Sequence, residues 1–332
     1  MPDIITIGEA LIDFIPVTAG TGLAETRAFE KRPGGAPANV AVGVARLGGN
    51  AGFIGKLGRD EFGRFLWQTL SQNGVDTTGV VFTDKARTAL AFVTLREDGE
   101  REFIFYRDSC ADVLLDPDEI NPAYIRSARI VHFGTVSLIR EPARSATYRA
   151  VELARSACKL VSLDVNFREP LWPSPDTARQ EMLAAVKTVD IVKVSAGEDG
   201  ELEFMFGNMT SPSRGAEQLL NLGPALVLVT LARDGCYARS RSAEVKVPGI
   251  RVEAVDTTGA GDAFTAAVLT RLVEMGVGKA DDIACLSRDS LREICLFANV
   301  TAALTCTRKG AISALPFRSE VEDRIKMMAE GG

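Results

Sequence analysis

Apolar residues recur along the chain in two alternating patterns, short continuous runs and longer segments with helical spacing. The short runs predict strands at AGFIGKLG, ARIVHFG, KLVSLDVNF, DIVKVS and ALVLVTLA. The longer segments predict amphipathic helices, several with glycine just beyond their ends, at NVAVGVARLG, EFGRFLWQTLSQNG, ARSATYRAVELARSA, TARQEMLAAVKTV and SRGAEQLLNLG. The runs IVKVS and LVLVTL are apolar at nearly every position, which is typical of strands buried on both faces.

This alternation of strands and helices predicts an α/β fold with a doubly wound, mostly parallel sheet and helices on both faces. The N-terminal segment IITIGEALIDF predicts the first strand, not a signal peptide, because no basic region precedes it. The sequence shows neither an internal repeat nor a low-complexity linker. We therefore expect a single domain over residues 1–332.

One segment interrupts the alternation. Residues 88–107, TALAFVTLREDGEREFIFYR, predict a β-hairpin that turns near Asp98-Gly99. Such a hairpin either extends the sheet or forms a flap over a site. The aromatic residues Phe103, Phe105 and Tyr106 favour a flap or a contact between subunits, because they must be covered.

Composition excludes several classes of protein. The 332 residues are 46% hydrophobic and 25% charged, which argues against disorder. A net charge of −6 provides no electrostatic basis for binding nucleic acid or an anionic membrane, and no apolar run approaches the length of a membrane span. Six cysteines without a CxxC pair predict free thiols and a cytoplasmic protein. With His132 as its single histidine, the chain has no His-based triad or multi-histidine metal site.

The segment AVDTTGAGDAF, residues 254–264, is the first candidate for chemistry. It predicts a strand, IRVEAVD, then a glycine turn and a helix from about Asp262. Glycines let the backbone approach a ligand closely, and the free amides and dipole of the helix start favour an anion. Asp262 would repel that anion, but it fits a base that deprotonates a nucleophile attacking it. From spacing alone, a first-turn residue stabilised by the helix dipole explains Asp262 equally well.

Two further features lie near the N-terminus. Residues 34–39, GGAPAN, form a second glycine pair before a helix, with Asn39 in its first turn; a loop and a cap also explain them. Gly8-Glu9 and Asp13 place carboxylates at the C-terminal end of the expected first strand. Ligands bind at that end of the strands in open α/β sheets.

Polar residues also follow two later strands. Asp164, Asn166 and Arg168 alternate in SLDVNFR, which predicts one strand face whose polar groups need partners or a ligand. Ser195 and Glu198 in KVSAGE follow a buried strand in the same way, although a helix cap explains them equally well. The turn VTLARDG, residues 229–235, either cradles a phosphate or reverses the chain.

Together these segments resemble the ribokinase-like carbohydrate kinases of the PfkB family over nearly the whole chain. The signature regions are GGAPANVAVGVARLGG and DTTGAGDAF, and the pair is more specific than either alone. Within the family the chain is most similar to the fructokinases, through FIFYRDSCADVLL, SLDVNFREPLWPS, DIVKVSAGE and RKGAISALP. The resemblance implies a ribokinase-like fold with a small β lid built from inserted segments at about 14–33 and 86–112.

The resemblance also implies a role for each matching residue. The base would be Asp262, and the anion hole would comprise the amides of Gly259, Ala260 and Gly261. The sugar side would comprise Asp13, Gly34, Gly35, Asn39, Phe105, Arg107, Asn166 and Arg168. The ATP side would comprise Lys193, Glu198, Thr230, Gly235, Gly259, Gly261, Asn299 and Ala303, with Glu198 acting on Mg²⁺ through water. A monovalent cation, K⁺ as activator, would lie among Asp256, Thr258, Thr305, Arg308 and Gly310, mostly bound by backbone carbonyls.

The implied reaction is transfer of the γ-phosphoryl group of ATP to the 6-hydroxyl of D-fructose, by a homodimer joined through the lid. A 2-keto-3-deoxygluconate kinase is the alternative, because Arg107 and Arg168 could bind the carboxylate of that sugar acid. A catalytically silent sugar- or nucleotide-binding regulator is a second alternative, against which the intact Asp262 argues. Two positions depart from the family pattern. Ser195 replaces the usual asparagine, and Ala232 replaces a usual glycine, which leaves the phosphate contact at that turn open.

Overall fold

The computed structural model describes residues 1–18, 20, 22–95, 101–197, 200–207 and 211–330. Its strands are β1 Ile4–Ile7, β2 Leu11–Pro16, β3 Phe29–Gly34, β4 Ala51–Gly58, β5 Asp76–Thr83, β6 Leu90–Leu95, β7 Arg101–Tyr106, β8 Ile130–Gly134, β9 Leu160–Asp164, β10 Ile191–Ser195, β11 Leu226–Thr230, β12 Cys236–Ser240 and β13 Glu244–Val247. Its α-helices are α1 Ala36–Arg46, α2 Glu61–Gln72, α3 Pro122–Ser127, α4 Ala143–Ser156, α5 Pro175–Val186, α6 Glu201–Phe206, α7 Pro212–Leu222, α8 Ala260–Glu274, α9 Ala280–Ala284, α10 Arg288–Cys306 and α11 Arg318–Glu330.

Nine strands form the main sheet, in the order β13-β12-β11-β10-β9-β8-β1-β4-β5. The seven strands from β5 to β11 in this order pair in parallel, and β12 and β13 are antiparallel. Successive residues of a strand enter different cores, since Ile4 packs in one cluster, with α1, α8 and α10, and Ile5 packs in another, with α4, α5 and α7. The prediction of a mostly parallel sheet with helices on both faces is confirmed.

A second sheet of four strands has the order β3-β2-β6-β7. β6 and β7 are antiparallel, so the hairpin predicted over residues 88–107 is confirmed, while its turn at Asp98-Gly99 lies outside the described residues. β2 joins the hairpin in parallel to β6 and pairs with β3 antiparallel. No helix in the described part of the chain is both long and apolar enough to cross a membrane.

The prediction of one strand over IITIGEALIDF is wrong, because the segment forms two strands in different sheets. β1 ends at Ile7 in the main sheet, and β2 begins at Leu11 in the four-stranded sheet. Between them Gly8 adopts a φ of 145°, a conformation that suits glycine and lets the chain change direction. Asp13 therefore lies within β2, not at the end of a main-sheet strand.

The segment IRVEAVD is not a strand either. β13 ends at Val247 on the edge of the main sheet, and residues 248–258 carry no strand. The apolar and β-branched residues of this segment predicted a strand, but none of the described strands pairs with it. The helix that follows begins at Ala260, two residues before the position that the sequence indicated.

Candidate active site

The first turn of α8 explains why residues 259–262 contain two glycines. Gly259 caps the helix with a φ of 79°, a left-handed conformation that favours glycine. A Cβ on Gly261 would lie 3.2 Å from the Nζ of Lys193, so glycine lets that ammonium approach the helix start. The amides at a helix start lack partners within the helix and can bind anions. Of the three amides predicted to form the anion hole, that of Ala260 donates to the carbonyl of Thr257 at 3.2 Å.

Asp262 is the third residue of α8 and is 9% exposed. The Nδ2 of Asn39, in the first turn of α1, donates to its Oδ2 at 2.7 Å. Burial is the main reason that the pKa of Asp262 is raised to about 6. The hydrogen bond from Asn39 lowers this pKa, and the nearby negative charge of Asp164 raises it. Asp262 is therefore a carboxylate poised to accept a proton near neutral pH.

A buried ion pair lies beneath the start of α8. The Nζ of Lys193 is 3.0 Å from the Oδ1 of Asp164, and these two residues are paired across β9 and β10. Burial opposes the charge on Lys193, but Asp164 and Glu201 outweigh it and raise the pKa of the lysine. The ammonium is thus held charged beside Gly261.

These residues line a cavity of about 770 Å³. The cavity brings together most residues that the resemblance placed on the sugar side and in the base and anion hole. Those residues are Asp13, Gly35, Asn39, Phe105, Arg107, Asn166, Arg168, Gly259, Gly261 and Asp262, joined by Lys193, Ser195 and Thr258. Ala260 lies between Gly259 and Gly261 in the first turn of α8. A single site therefore collects side chains from both sheets.

The glycine pair 34–35 leaves room for two carboxyl-bearing residues. A Cβ on Gly34 would lie 2.2 Å from the Oδ2 of Asp13, and one on Gly35 would lie 2.5 Å from the carbonyl oxygen of Glu9. Gly35 lines the cavity, whereas Gly34 is not among its lining residues. Gly34 thus acts by admitting the side chain of Asp13.

The prediction that Asp164, Asn166 and Arg168 share one strand face is wrong. β9 ends at Asp164, and Asn166 adopts a φ of 40°, the left-handed region that asparagine tolerates better than most residues. The chain turns there and does not continue as a strand. All three residues nevertheless line the cavity.

A charged cluster that the sequence did not indicate lies at the end of the cavity near β7. The Nε of Arg107 donates to the Oδ2 of Asp112, and the two side chains are 7% and 2% exposed. The Nη1 of Arg107 also donates to the Val136 carbonyl at 3.3 Å. Beside it, burial raises the pKa of Glu9 to about 7, although Arg107 lowers it.

Ser195 pairs with a glutamate that the sequence did not indicate. Its amide donates to the Oε2 of Glu201 at 2.7 Å, and the amide of Glu201 donates back to the Oγ of Ser195 at 3.3 Å. Glu201 also lines the cavity, whereas Glu198 lies outside the described residues. The capping-box spacing pointed to Glu198, and only the fold shows that the chain returns at Glu201.

Four residues assigned to the ATP side do not line this cavity. They lie at the end of β11, just before β12 and in α10. Thr230 is paired with Ser195 across β10 and β11, and with Cys236, the residue after Gly235, across β11 and β12. The Nδ2 of Asn299 donates to the carbonyls of residues 247 and 248 at 3.2 and 3.1 Å, next to that pair of strands. Ala303 lies one turn further along α10.

Among the residues assigned to a monovalent cation, Asp256 and Thr258 belong to the segment before α8, and Gly310 is hydrogen-bonded to it. Asp256 is 3% exposed, and its two oxygens accept from the amides of Thr258 at 2.8 Å and Gly310 at 2.7 Å. Thr305 is buried in the last turn of α10. Arg308 is exposed, and its guanidinium pairs with Glu320.

Comparisons with known proteins identify the family. The sequence model of the pfkB family carbohydrate kinases matches residues 1–318. The chain is 49% identical over 327 residues to probable fructokinase-2 of Arabidopsis thaliana, covering 98% of this chain and 97% of that protein.

Two solved structures are similar over nearly their whole length. The fructokinase of Xylella fastidiosa with bound ATP has a TM-score of 0.89 and 36% identity, covering 99% of this chain and 100% of that one. The fructokinase of Vibrio cholerae O395 with fructose, ADP and calcium bound has a TM-score of 0.82 and 33% identity, covering 97% and 98%. With its family pattern, its fold and its cavity in agreement, the chain belongs to the pfkB family of carbohydrate kinases.

Proposed function

We propose that the protein is a fructokinase that transfers the γ-phosphoryl group of ATP to the 6-hydroxyl of D-fructose. The observation that carries this proposal is the position of Asp262, a buried carboxylate in the first turn of α8, beside the helix-start glycines Gly259 and Gly261 and held by Asn39. The similar fructokinases support the sugar and the nucleotide.

In the proposed reaction the 6-hydroxyl approaches Asp262, which accepts its proton as the bond from the hydroxyl oxygen to the γ-phosphorus forms. The bond from that phosphorus to the bridging oxygen of ATP breaks, and ADP leaves. A sugar hydroxyl is barely acidic, so positioning and charge stabilisation provide most of the rate enhancement. The amides of Gly259 and Gly261 stabilise the charge that develops on the phosphoryl group, and the Lys193 ammonium adds positive charge from below. The amide of Ala260, also assigned to the anion hole, would first have to give up the carbonyl of Thr257.

The sugar would bind between α1 and the four-stranded sheet. The Oδ1 of Asn39 has no hydrogen-bond partner among the described residues. This oxygen and the carboxylate of Asp13 can accept hydrogen bonds from sugar hydroxyls. Phe105, Asn166 and Arg168 line the same end, and Gly34 and Gly35 keep it open. We assign the four-stranded sheet as a lid on a single domain of residues 1–332, built from the segments at about 14–33 and 86–112. Its closure would exclude water that hydrolyses ATP.

ATP would lie along the path from Lys193 through Thr230 and Gly235 to Asn299 and Ala303. No group of three or more His, Cys, Asp or Glu residues is placed to hold a metal within the described ranges. We place Mg²⁺ with the phosphates of ATP and water, and Glu198 would contact it through water. When bound, Mg²⁺ neutralises the β- and γ-phosphates.

A monovalent cation, K⁺ in our proposal, would be held near Asp256 and carbonyls around Thr258, Thr305, Arg308 and Gly310. The residues fit a cation, because a buried carboxylate lies beside the C-terminal, electronegative end of α10. When bound, the cation would order the segment that leads into Gly259.

The outer face of the lid supports a homodimer. Tyr106 is 57% exposed and packs edge-on against Phe92, with ring centroids 5.3 Å apart. Phe92 in turn stacks on Phe14, at 5.1 Å between centroids. An exposed aromatic surface of this kind favours contact with a second copy. We place this dimer in the cytoplasm, in keeping with six free cysteines.

A coupled assay of ADP release tests the proposed activity against fructose, ribose, adenosine and 2-keto-3-deoxygluconate. We expect kcat/KM for fructose to exceed that for 2-keto-3-deoxygluconate at least tenfold, a gap of about 1.4 kcal/mol. The reverse order would make the protein a sugar-acid kinase. No turnover of any sugar would favour the silent regulator.

A further inference from the structure

The charges at the end of the cavity near β7 bear on which sugars can enter. Arg107 follows β7 directly and lines the cavity, where a positive charge would attract the carboxylate of a sugar acid. Its guanidinium is already engaged with Asp112, and both side chains are almost fully buried. Asp112 thus cancels the charge of Arg107 before any substrate arrives.

A second carboxyl group lies close to the same arginine. The Oε1 of Glu9 accepts from the amide of Ala36 at 3.1 Å. Its Oε2 is buried and has no hydrogen-bond partner within the described part of the chain. An oxygen in this state can accept a hydrogen bond from a sugar hydroxyl, and whenever Glu9 is ionised it repels the carboxylate of a sugar acid.

The remaining cation at this end does not compensate. Arg168 is exposed, donates to the carbonyl of Phe167 at 2.9 Å, and lines both the main cavity and the neighbouring cleft. Its charge is therefore screened by water, unlike that of a buried arginine. A sugar acid entering this end would lose its hydration near Glu9, with Arg107 already neutralised.

We propose that Asp112 and Glu9 are specificity-determining residues that neutralise Arg107 and so select neutral sugars over sugar acids. This inference rests on the proposed fructokinase activity and deepens it. It makes the partner of Arg107, not the arginine itself, the residue that separates the two substrate classes. An arginine at this position would bind a carboxylate only where its buried acidic partners are missing.

Asp112→Asn tests the proposal, because asparagine keeps an oxygen for the Nε of Arg107 and removes the charge. The dissociation constants of fructose and 2-keto-3-deoxygluconate are measured by titration calorimetry on the wild-type protein and the variant. We expect the preference for fructose over the sugar acid to fall by about tenfold or more, the effect of one charge-assisted hydrogen bond gained. A preference unchanged within about threefold would overturn the proposal.

Asp108→Asn is the matched control, since Asp108 also pairs with an arginine, Arg140, but lies exposed four residues away. It should leave the preference unchanged, and an equal shift there would show a general loss of charge and overturn the specific role. Glu9→Gln keeps the acceptor for the amide of Ala36 and is predicted to shift the preference in the same direction as Asp112→Asn. It provides the test if Asp112→Asn does not fold, and an unchanged preference in it overturns the proposal.

These measurements can refute the specificity proposal and the proposed activity independently of each other. If wild-type protein binds fructose and does not phosphorylate it, the proposed activity is wrong, yet the shift in binding preference still decides the role of Asp112. If it phosphorylates fructose and the preference does not shift in the variants, the activity stands and the specificity proposal falls.

Discussion

At the scale of single residues, the environment of Asp262 sets two opposing influences on its charge. The start of a helix stabilises an ionised carboxylate, but burial in the cavity destabilises the ionised form by more and raises the pKa of Asp262 to about 6. An aspartate in an exposed first turn would be a much weaker base. Burial thus converts an ordinary helix-start residue into one suited to accept a proton.

The pH dependence of kcat/KM for fructose follows from that pKa. Asp262 must be ionised to act as a base, so kcat/KM should fall about tenfold per pH unit as pH drops below about 6. Rates measured from about pH 5 to 8 check this. Glu9 also titrates in the cavity, so the same decline should persist in Glu9→Gln. A profile that is flat across this range would contradict a base with this pKa.

The backbone of Ala232 is strained. Ala232 is exposed and adopts a φ of 48°, a left-handed conformation that costs an alanine about 1 kcal/mol. Ala232→Gly should therefore raise the melting temperature by about 1–3 °C. Ala123→Gly, in the exposed first turn of α3, is the control and should lower it. A decrease in both variants would show that the turn at Ala232 is not strained.

At the scale of elements, the hairpin β6–β7 presents two different faces. Phe105 is paired with Ala91 and lines the cavity, whereas Ile104 is paired with Phe92 and is exposed on the outer face. Strand geometry therefore separates a proposed sugar contact from a proposed subunit contact by one residue. This arrangement lets one hairpin serve both purposes.

Phe105→Ala should weaken fructose binding much more than ATP binding, by about 2–4 kcal/mol, the usual cost of truncating a buried aromatic contact. Ile104→Ala, its neighbour on the opposite face, is the matched control and should leave fructose affinity nearly unchanged. Titration calorimetry with each ligand measures both, and circular dichroism verifies folding. Loss of ATP affinity with fructose affinity intact would place the hairpin at the wrong end of the cavity.

At the scale of the whole molecule, Asp256 joins segments far apart in sequence. It lies three residues before Gly259, and it accepts from the amide of Gly310, while its own amide donates to the carbonyl of Cys306 at 3.1 Å. The end of α10 is thereby tied to the turn that begins α8. An ion bound there would act on the anion hole through the backbone.

Potassium should therefore raise both kcat and melting temperature relative to choline chloride at equal ionic strength. A ligand that binds only the folded state stabilises it by mass action. The change in melting temperature is measured without substrates, so it reports the ion independently of turnover. Asp256→Asn should abolish both responses. Equal rates and equal melting temperatures with and without potassium, after desalting, would contradict the cation site.

Local patterns in the sequence predicted those parts of the structure that depend on local interactions. β4 matches the predicted segment, and α8 begins within two residues of its expected position, because apolar spacing and glycines are local signals. The pairing of Arg107 with Asp112 and the role of Glu201 depend on which loops meet at the cavity. The division of IITIGEALIDF between two sheets likewise depends on distant strands, since either sheet would bury its apolar residues.

The measurement that tests the central claim most directly is kcat for Asp262→Asn, with the melting temperature taken on the same preparation. The variant keeps the size of the side chain and removes proton acceptance, so kcat should fall by roughly 10²–10⁴-fold while ATP and fructose still bind.

Above pH 6 the variant should also be more stable than the wild-type protein. A folded pKa raised from 3.8 to about 6 means that the folded state holds this proton more tightly than the unfolded state. Stability is therefore lost as pH rises between those values, by about 3 kcal/mol in total, and asparagine avoids that loss. A helix-start residue without a catalytic role predicts the opposite pair of results, near-normal turnover and slightly reduced stability, and near-normal turnover would refute Asp262 as the base.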